Sequence, residues 1–181
     1  MILYINSCVR DESRTNRIAQ ALLQKLGEEY EEIKLYEEKL YPLSKAALKH
    51  RTELIENENY SSPIFKYAKQ FAAADTIVIA APFWDLSFPA DLKTYIENIY
   101  VTGIVSRYGI DGKPVGMCKA EQLYYVTTAG GPYLPDYSFG YIRDLAVQHF
   151  GIKEIFLIKA EMLDVEGFSA ENIIRQVIDS I

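Results

Sequence analysis

Three stretches of the chain combine side chains suited to holding a ligand. The first is Ser7-Cys8-Val9-Arg10-Asp11-Glu12-Ser13-Arg14-Thr15, with hydroxyls on Ser7, Ser13 and Thr15 and positive charge on Arg10 and Arg14. It runs into a segment of helical periodicity, and the first amides of a helix lack intrahelical partners and so attract anions. Read alone, it either holds a phosphate or caps the helix through Ser13 or Thr15. The second is Pro82-Phe83-Trp84-Asp85-Leu86-Ser87-Phe88, whose aromatics either fill core under the next helix or lie against a flat, partly apolar ligand. The third is Thr128-Ala129-Gly130-Gly131, where paired glycines allow close backbone approach or positive φ, or form an ordinary turn. Cys8 sits near a helix start, where a thiol can be acidified; the reading preferred here is a small side chain packed beside the ligand.

Other chemistries lack their signatures. There is no GxGxxG and no GxxxxGK[ST], so neither a dinucleotide fingerprint nor a P-loop is expected. His50 and His149 have no ligand-spaced partners, so no metal site is expected. No Ser-His-Asp or Cys-His set is legible, and no protein nucleophile is assigned. His149 falls near the end of a helical pattern and is expected to serve that helix C-terminus.

The elements that must position these stretches follow from hydrophobic patterning. Residues 2–6 read as a first strand. Ile18, Ala19, Leu22, Leu23 and Leu26 recur at helical spacing, and Gly27 closes that helix. Residues 31–35 alternate and suit an edge strand, while 36–61 carry short surface helices. After a helix over 63–74, the run Thr76-Ile77-Val78-Ile79-Ala80-Ala81 is continuously apolar, as in a central parallel strand covered on both faces. Pro82 ends it, and Pro89 opens a helix over 90–100. Residues 105–108 and 115–118 pair as a hairpin excursion; 122–127 and 152–160 are the fourth and fifth strands. Helices over 137–150 and from Ser169 onward complete the alternation.

Strand and helix alternate about five times, which predicts one α/β domain over residues 1–181, with helices on both faces of a parallel sheet. The three stretches follow strands one, three and four, so they gather at one end of that sheet, where open α/β folds bind ligands. Phosphate contacts, an aromatic wall and close backbone approach together suit a phosphorylated planar heterocycle, which points to FMN.

Bulk properties agree. The chain has 181 residues, 49% hydrophobic and 24% charged, with a formal charge of -6, a balance typical of a globular domain. No Lys/Arg cluster suggests a nucleic-acid surface. No apolar run approaches the roughly 20 residues of a membrane span, and no leader pattern precedes the first strand. Two distant cysteines, Cys8 and Cys118, suggest a reducing cytoplasm.

In these motifs the sequence resembles the flavodoxin-like NAD(P)H-dependent oxidoreductases, most closely the FMN-dependent NADH-azoreductase and quinone reductase family. Ser7-Cys8-Val9-Arg10 with Ser13 and Thr15 is similar to that family's Ser-Pro-Arg…Ser-x-Ser phosphate loop. Ala81-Pro82-Phe83-Trp84-Asp85-Leu86-Ser87-Phe88-Pro89-Ala90-Asp91-Leu92-Lys93 resembles its Ala-Pro-Met-Tyr-Asn-Phe…Pro-x-x-Leu-Lys segment. Thr102-Gly103-Ile104-Val105-Ser106-Arg107-Tyr108 resembles its Ala-Gly-x-Thr-Phe-Arg-Tyr hairpin start, and Thr127-Thr128-Ala129-Gly130-Gly131 its Ser-Arg-Gly-Gly loop. Cys8 stands where Ser is usual, and Ala129 where the family has Arg.

The resemblance implies a flavodoxin-like sheet of order 2-1-3-4-5, bound FMN, and NADH or NADPH as co-substrate. It implies ping-pong hydride transfer to a quinone, azo or nitro acceptor, in a homodimer with the site at its interface. Carried onto this chain, Ser7, Cys8, Arg10, Ser13, Arg14 and Thr15 hold the phosphate, and Pro82, Phe83, Trp84, Asp85 and Leu86 hold the ring. Thr128, Ala129, Gly130 and Gly131 hold the pyrimidine side. Trp84, Phe88, Tyr108 and Tyr133 form the substrate wall. Two other readings stay open: an FMN electron carrier without NAD(P)H turnover, and a flavin-free binding module on the same fold.

Overall fold

The computed structural model describes residues 1–134 and 137–181. Strand β1 (Ile2–Asn6) leads through a seven-residue polar loop, residues 7–13, into helix α1 (Arg14–Leu26), closed by Gly27 in the left-handed region. Strand β2 (Tyr30–Lys34) follows, then α2 (Lys45–Glu56), which buries none of its residues. Helix α3 (Lys66–Ala73) feeds β3 (Thr76–Ala80), and α4 (Ala90–Ile99) returns from the aromatic stretch. The hairpin β4 (Ser106–Tyr108) and β5 (Pro114–Gly116) precedes β6 (Gln122–Thr128). Helix α5 (Phe139–Leu145), strand β7 (Glu154–Ala160) and helix α6 (Ala170–Ser180) end the chain.

The five-stranded sheet has the order β2-β1-β3-β6-β7 with every pairing parallel. Side chains alternate across each strand, so Tyr4, Val78 and Val126 meet Ile18, Leu22, Leu23 and Ile174 of α1 and α6. Leu3, Ile5, Ile77, Ile79 and Leu123 meet Phe71, Leu92, Ile96 and Ile142 of α3, α4 and α5 on the other face. The central strands β1 and β3 are almost wholly buried, and the alternating strand β2 lies at the edge as its pattern predicts. The carboxyl ends of β1, β3 and β6 are adjacent, and the loops that leave them carry the three chemistry-bearing stretches.

Local bonding moves several expected boundaries. Residue 152 does not start β7, because the Ile152 amide donates to Ala146 O at 3.0 Å and belongs to the end of the preceding helix. That helix is α-helical only to Leu145 and continues as a π turn, Ala146–Phe150, before Gly151 at φ 81°. In the hairpin, Ser106 pairs with Gly116 and Tyr108 with Pro114, two residues short of the expected 115–118 partner. Gly109 N–H to Lys113 O, 2.8 Å, fixes that register. Gly116 packs against the chain at Gly151 so closely that a Cβ there would overlap Phe150 and Gly151 backbone.

Candidate functional site

The loop after β1 is shaped by its own polar groups. Asn6 Oδ1 accepts the Cys8 amide at 2.9 Å and turns the chain out of the strand. Ser13 caps α1, its hydroxyl accepting the Asn16 amide at 3.2 Å, as the capping reading expects. The amides of Arg14 and Thr15 have no acceptor among the described residues. Thr15 Oγ1 and Thr128 Oγ1 lie 2.6 Å apart and tie this loop to the end of β6. The first turn of α1 carries Arg14 and Arg17 and no acidic residue. That is the reverse of the usual pattern, because the positive end of a helix repels cations and attracts anions. Each arginine is held by a carboxylate: Arg14 Nη1 donates to Asp164 Oδ1 at 2.7 Å, and Arg17 grips Glu171 with two nitrogens.

Cys8 is 3% exposed, and burial pushes its thiol up to about 11 despite a hydrogen bond from Ser13 that lowers it. At neutral pH it is a protonated, packed side chain, in line with the non-reactive reading.

The loop after β3 is a strained turn. Phe83 N–H donates to Thr128 O at 2.9 Å, and Trp84 and Ser87 exchange backbone bonds of 3.0 and 2.8 Å. The two residues between them, Asp85 and Leu86, have φ of 50° and 67°, the left-handed pair of a I′ turn. Such φ values cost a non-glycine residue roughly 1–2 kcal/mol each, and strain of this kind clusters at functional sites. The turn presents Trp84, which is 38% exposed. Phe83 is backed by Tyr133, ring centroids 4.6 Å apart.

A fourth loop, after β7, belongs to the site as well. Met162 N–H donates to Gly131 O at 3.0 Å, Leu163 N–H to Ala129 O at 3.2 Å and Asp164 N–H to Gly130 O at 2.9 Å. These bonds lay Met162, Leu163 and Asp164 along the Gly-Gly stretch, with Met162 itself at φ 67°. A Cβ on Gly130 would stand 2.5 Å from Asp164 Oδ2, whereas one on Gly131 would meet nothing within 4 Å. Close approach therefore explains the first glycine only, and Gly131 has no positive φ.

The loops enclose a cavity of about 490 Å³, within the roughly 300–1,000 Å³ of small-molecule sites. Cys8, Arg10, Ser13, Arg14 and Thr15 line one part; Pro82, Phe83 and Trp84 another; Thr128, Ala129 and Gly130 a third. The remaining expected residues lie elsewhere. Ser7 is fully buried and donates to Asp91 Oδ1 at 2.5 Å, so its hydroxyl bridges β1 to α4. Asp85 and Leu86 shape the turn that carries Trp84 and do not line the cavity, and neither does Gly131. Phe88 packs on Tyr141, centroids 5.7 Å apart. Tyr108 is exposed on the hairpin. Tyr133 is only 5% exposed and its hydroxyl pairs with Ser138 Oγ at 2.5 Å, so it supports Phe83 from behind. His149 lies in the last turn of the π segment, at the helix end expected for it, and pairs through Nδ1 with the hydroxyl of Tyr100, the residue that closes α4, at 2.6 Å.

Val9, Glu12, Leu163 and Asp164 also line the cavity and were not expected from sequence. The only signal for Leu163 and Asp164 is position, just beyond the carboxyl end of the last strand. Chemically the cavity offers free amides and guanidinium groups at one end, an indole and a phenyl ring at another, and small side chains between. That donor set fits an anionic group joined to a flat ring system.

Residues 1–178 match the family described as flavodoxin-like fold. The chain belongs to this family. It is 38% identical to FMN-dependent NADH:quinone oxidoreductase 2 of Clostridium acetobutylicum, over 98% of this chain and 94% of the relative. It is 36% identical to the FMN-dependent NADH:quinone oxidoreductase of Clostridium beijerinckii, again over 98% and 94%. Among solved structures, an azoreductase from Bacillus anthracis superposes with a TM-score of 0.86 at 21% identity, covering 99% of this chain and 95% of that one. An FMN-dependent NADH-azoreductase from Bacillus anthracis in complex with FMN gives a TM-score of 0.78 at 20% identity, covering 99% and 96%. These structural neighbours share the fold; the clostridial relatives place the chain within the family.

Proposed function

We propose that this protein is an FMN-dependent NADH:quinone oxidoreductase that also reduces azo or nitro acceptors. The observation that carries the reading is the cavity outside the carboxyl ends of β1, β3 and β6, running from a cation-flanked helix start to Phe83 and Trp84. The relatives' FMN-dependent NADH:quinone activity adds weight.

The free amides of Arg14 and Thr15, the Ser13 and Thr15 hydroxyls and the Arg10 and Arg14 guanidinium groups would receive the phosphate. Pro82, Phe83 and Trp84 would receive the ring, and Thr128, Ala129 and Gly130 its pyrimidine side. Bound FMN supplies the hydride chemistry; the protein binds, orients and excludes water. Phe83 is fixed by its amide bond to Thr128 O at 2.9 Å and by Tyr133 behind it, so one wall of the cavity is rigid. Trp84 stands on the strained turn, partly exposed, where an aromatic acceptor would stack. NADH and the acceptor would take turns at this one cavity, which is a ping-pong scheme.

A homodimer is part of the proposal: the hairpin exposes Tyr108, Ile110, Val115 and Met117, an apolar arm that suits a second copy. So is a cytoplasmic location, in keeping with two free cysteines. No helix among the described residues is long and apolar enough to cross a membrane.

The test is an absorption spectrum and extraction of the flavin, followed by steady-state oxidation of NADH and of NADPH with a quinone. Bound FMN with quinone-dependent NADH oxidation is expected. FMN without turnover assigns an electron carrier instead; no flavin uptake assigns a binding module.

A further inference from the structure

Asp164 touches two of the ligand-facing loops at once. Its carboxylate accepts from Arg14 Nη1 at 2.7 Å, on the first turn of α1. Its other oxygen fills the space a side chain would need at position 130, 2.5 Å from an ideal Cβ. Its amide is anchored to Gly130 O at 2.9 Å. We infer that Asp164 is a positioning residue of the cofactor site: it holds the Arg14 guanidinium at the anion-binding end, and position 130 is glycine to admit its carboxylate. This rests on the FMN reading above.

The physical need is clear from the helix. A cation in the first turn is repelled by the positive helix end, and with 45% of its side chain exposed Arg14 would otherwise turn to solvent. Asp164 engages one guanidinium nitrogen, and the group has five N–H donors in a rigid fork, so others stay free for an anion. Asp164 is itself 68% exposed. An ion pair this open adds little to stability, so placing Arg14 is its main consequence. Three backbone bonds fix the carboxylate's own loop to the Gly-Gly stretch, so the guanidinium is aimed from a rigid base.

The test compares FMN with riboflavin, which has the same ring and no phosphate. Full-length protein is titrated with each flavin, following quenching of flavin fluorescence. Asp164→Asn is expected to weaken FMN roughly tenfold, the scale of one charge-assisted hydrogen bond, with riboflavin affinity unchanged. Gly130→Ala should weaken FMN similarly by displacing the carboxylate. Gly130→Ala with Asp164→Ala should be no worse than Asp164→Ala alone, a non-additive pair. In an Arg14→Ala background, Asp164→Asn should have no further effect. Unchanged or tighter FMN binding by Asp164→Asn overturns the inference, as does an equal loss for both flavins, which marks a merely structural role. Thermal melts check that each variant is folded. Wild-type protein that binds neither flavin overturns the FMN reading itself, a result distinct from a bound flavin indifferent to Asp164.

Discussion

Two neighbouring threonines of β6 make opposite predictions for the same substitution. Thr127 is fully buried, and its hydroxyl has no hydrogen-bond partner among the described residues. Thr128 points to the other face, and its hydroxyl pairs with that of Thr15 at 2.6 Å, where Thr15 is 1% exposed. Valine keeps the β-branched shape and strand preference of threonine, so each change isolates one hydroxyl. An unsatisfied buried polar group costs about 1–3 kcal/mol. Thr127→Val removes that cost and should stabilise by about 1–2 kcal/mol. Thr128→Val instead strands the buried Thr15 hydroxyl and should destabilise by about the same amount. For a chain of this size each kcal/mol moves Tm by about 2–4 °C. Calorimetry of the flavin-free protein should therefore show Thr127→Val melting about 2–8 °C higher and Thr128→Val about 2–8 °C lower. A lower Tm for Thr127→Val would refute the reasoning, since it would mean that a bound water satisfies that hydroxyl.

Other expectations follow from the site and its supports. Cys8 should resist thiol reagents in native protein at pH 8 and react on unfolding. Its folded pKa is raised by burial to about 11, so its stabilising contribution is complete below the unfolded value of about 8.5 and is lost as pH rises toward 11. Melting of wild type should fall over that window more steeply than that of Cys8→Ala. Trp84→Ala should weaken FMN binding or slow quinone turnover; titration and steady-state kinetics that both match wild type would remove Trp84 from the site. Gly116→Ala forces a Cβ into the backbone of Phe150 and Gly151, and should destabilise by about 1–3 kcal/mol in a urea melt.

The sheet was legible because its central strands are continuous apolar runs, and Thr76-Ile77-Val78-Ile79-Ala80 has no other comfortable home. The edge position of β2 was legible from its alternation. The site's first three loops were legible because each follows such a strand and concentrates unusual residues. What escaped was set by partners distant in sequence. Ser7 carries a hydroxyl suited to phosphate, yet Asp91 from α4 claims it. Tyr133 looks like a wall residue, yet its hydroxyl is drawn inward to Ser138. His149 sits at a helix end but finds Tyr100. Asp164 is a single acidic residue without a local pattern, and only the backbone bonds between its loop and the Gly-Gly stretch bring it to Arg14. The hairpin's existence was readable from its glycines, while its register depended on one turn bond, from Gly109 to Lys113.

In the proposed reaction a flavin held in the cavity between α1 and Trp84 is reduced by NADH and reoxidised by a quinone. Its most direct test is single-turnover absorbance of the FMN-loaded protein, mixed anaerobically with NADH and then with a quinone. Bleaching of the flavin band is expected on the first addition and its recovery on the second. A band that NADH leaves unchanged, or that the quinone does not restore, would contradict this reaction.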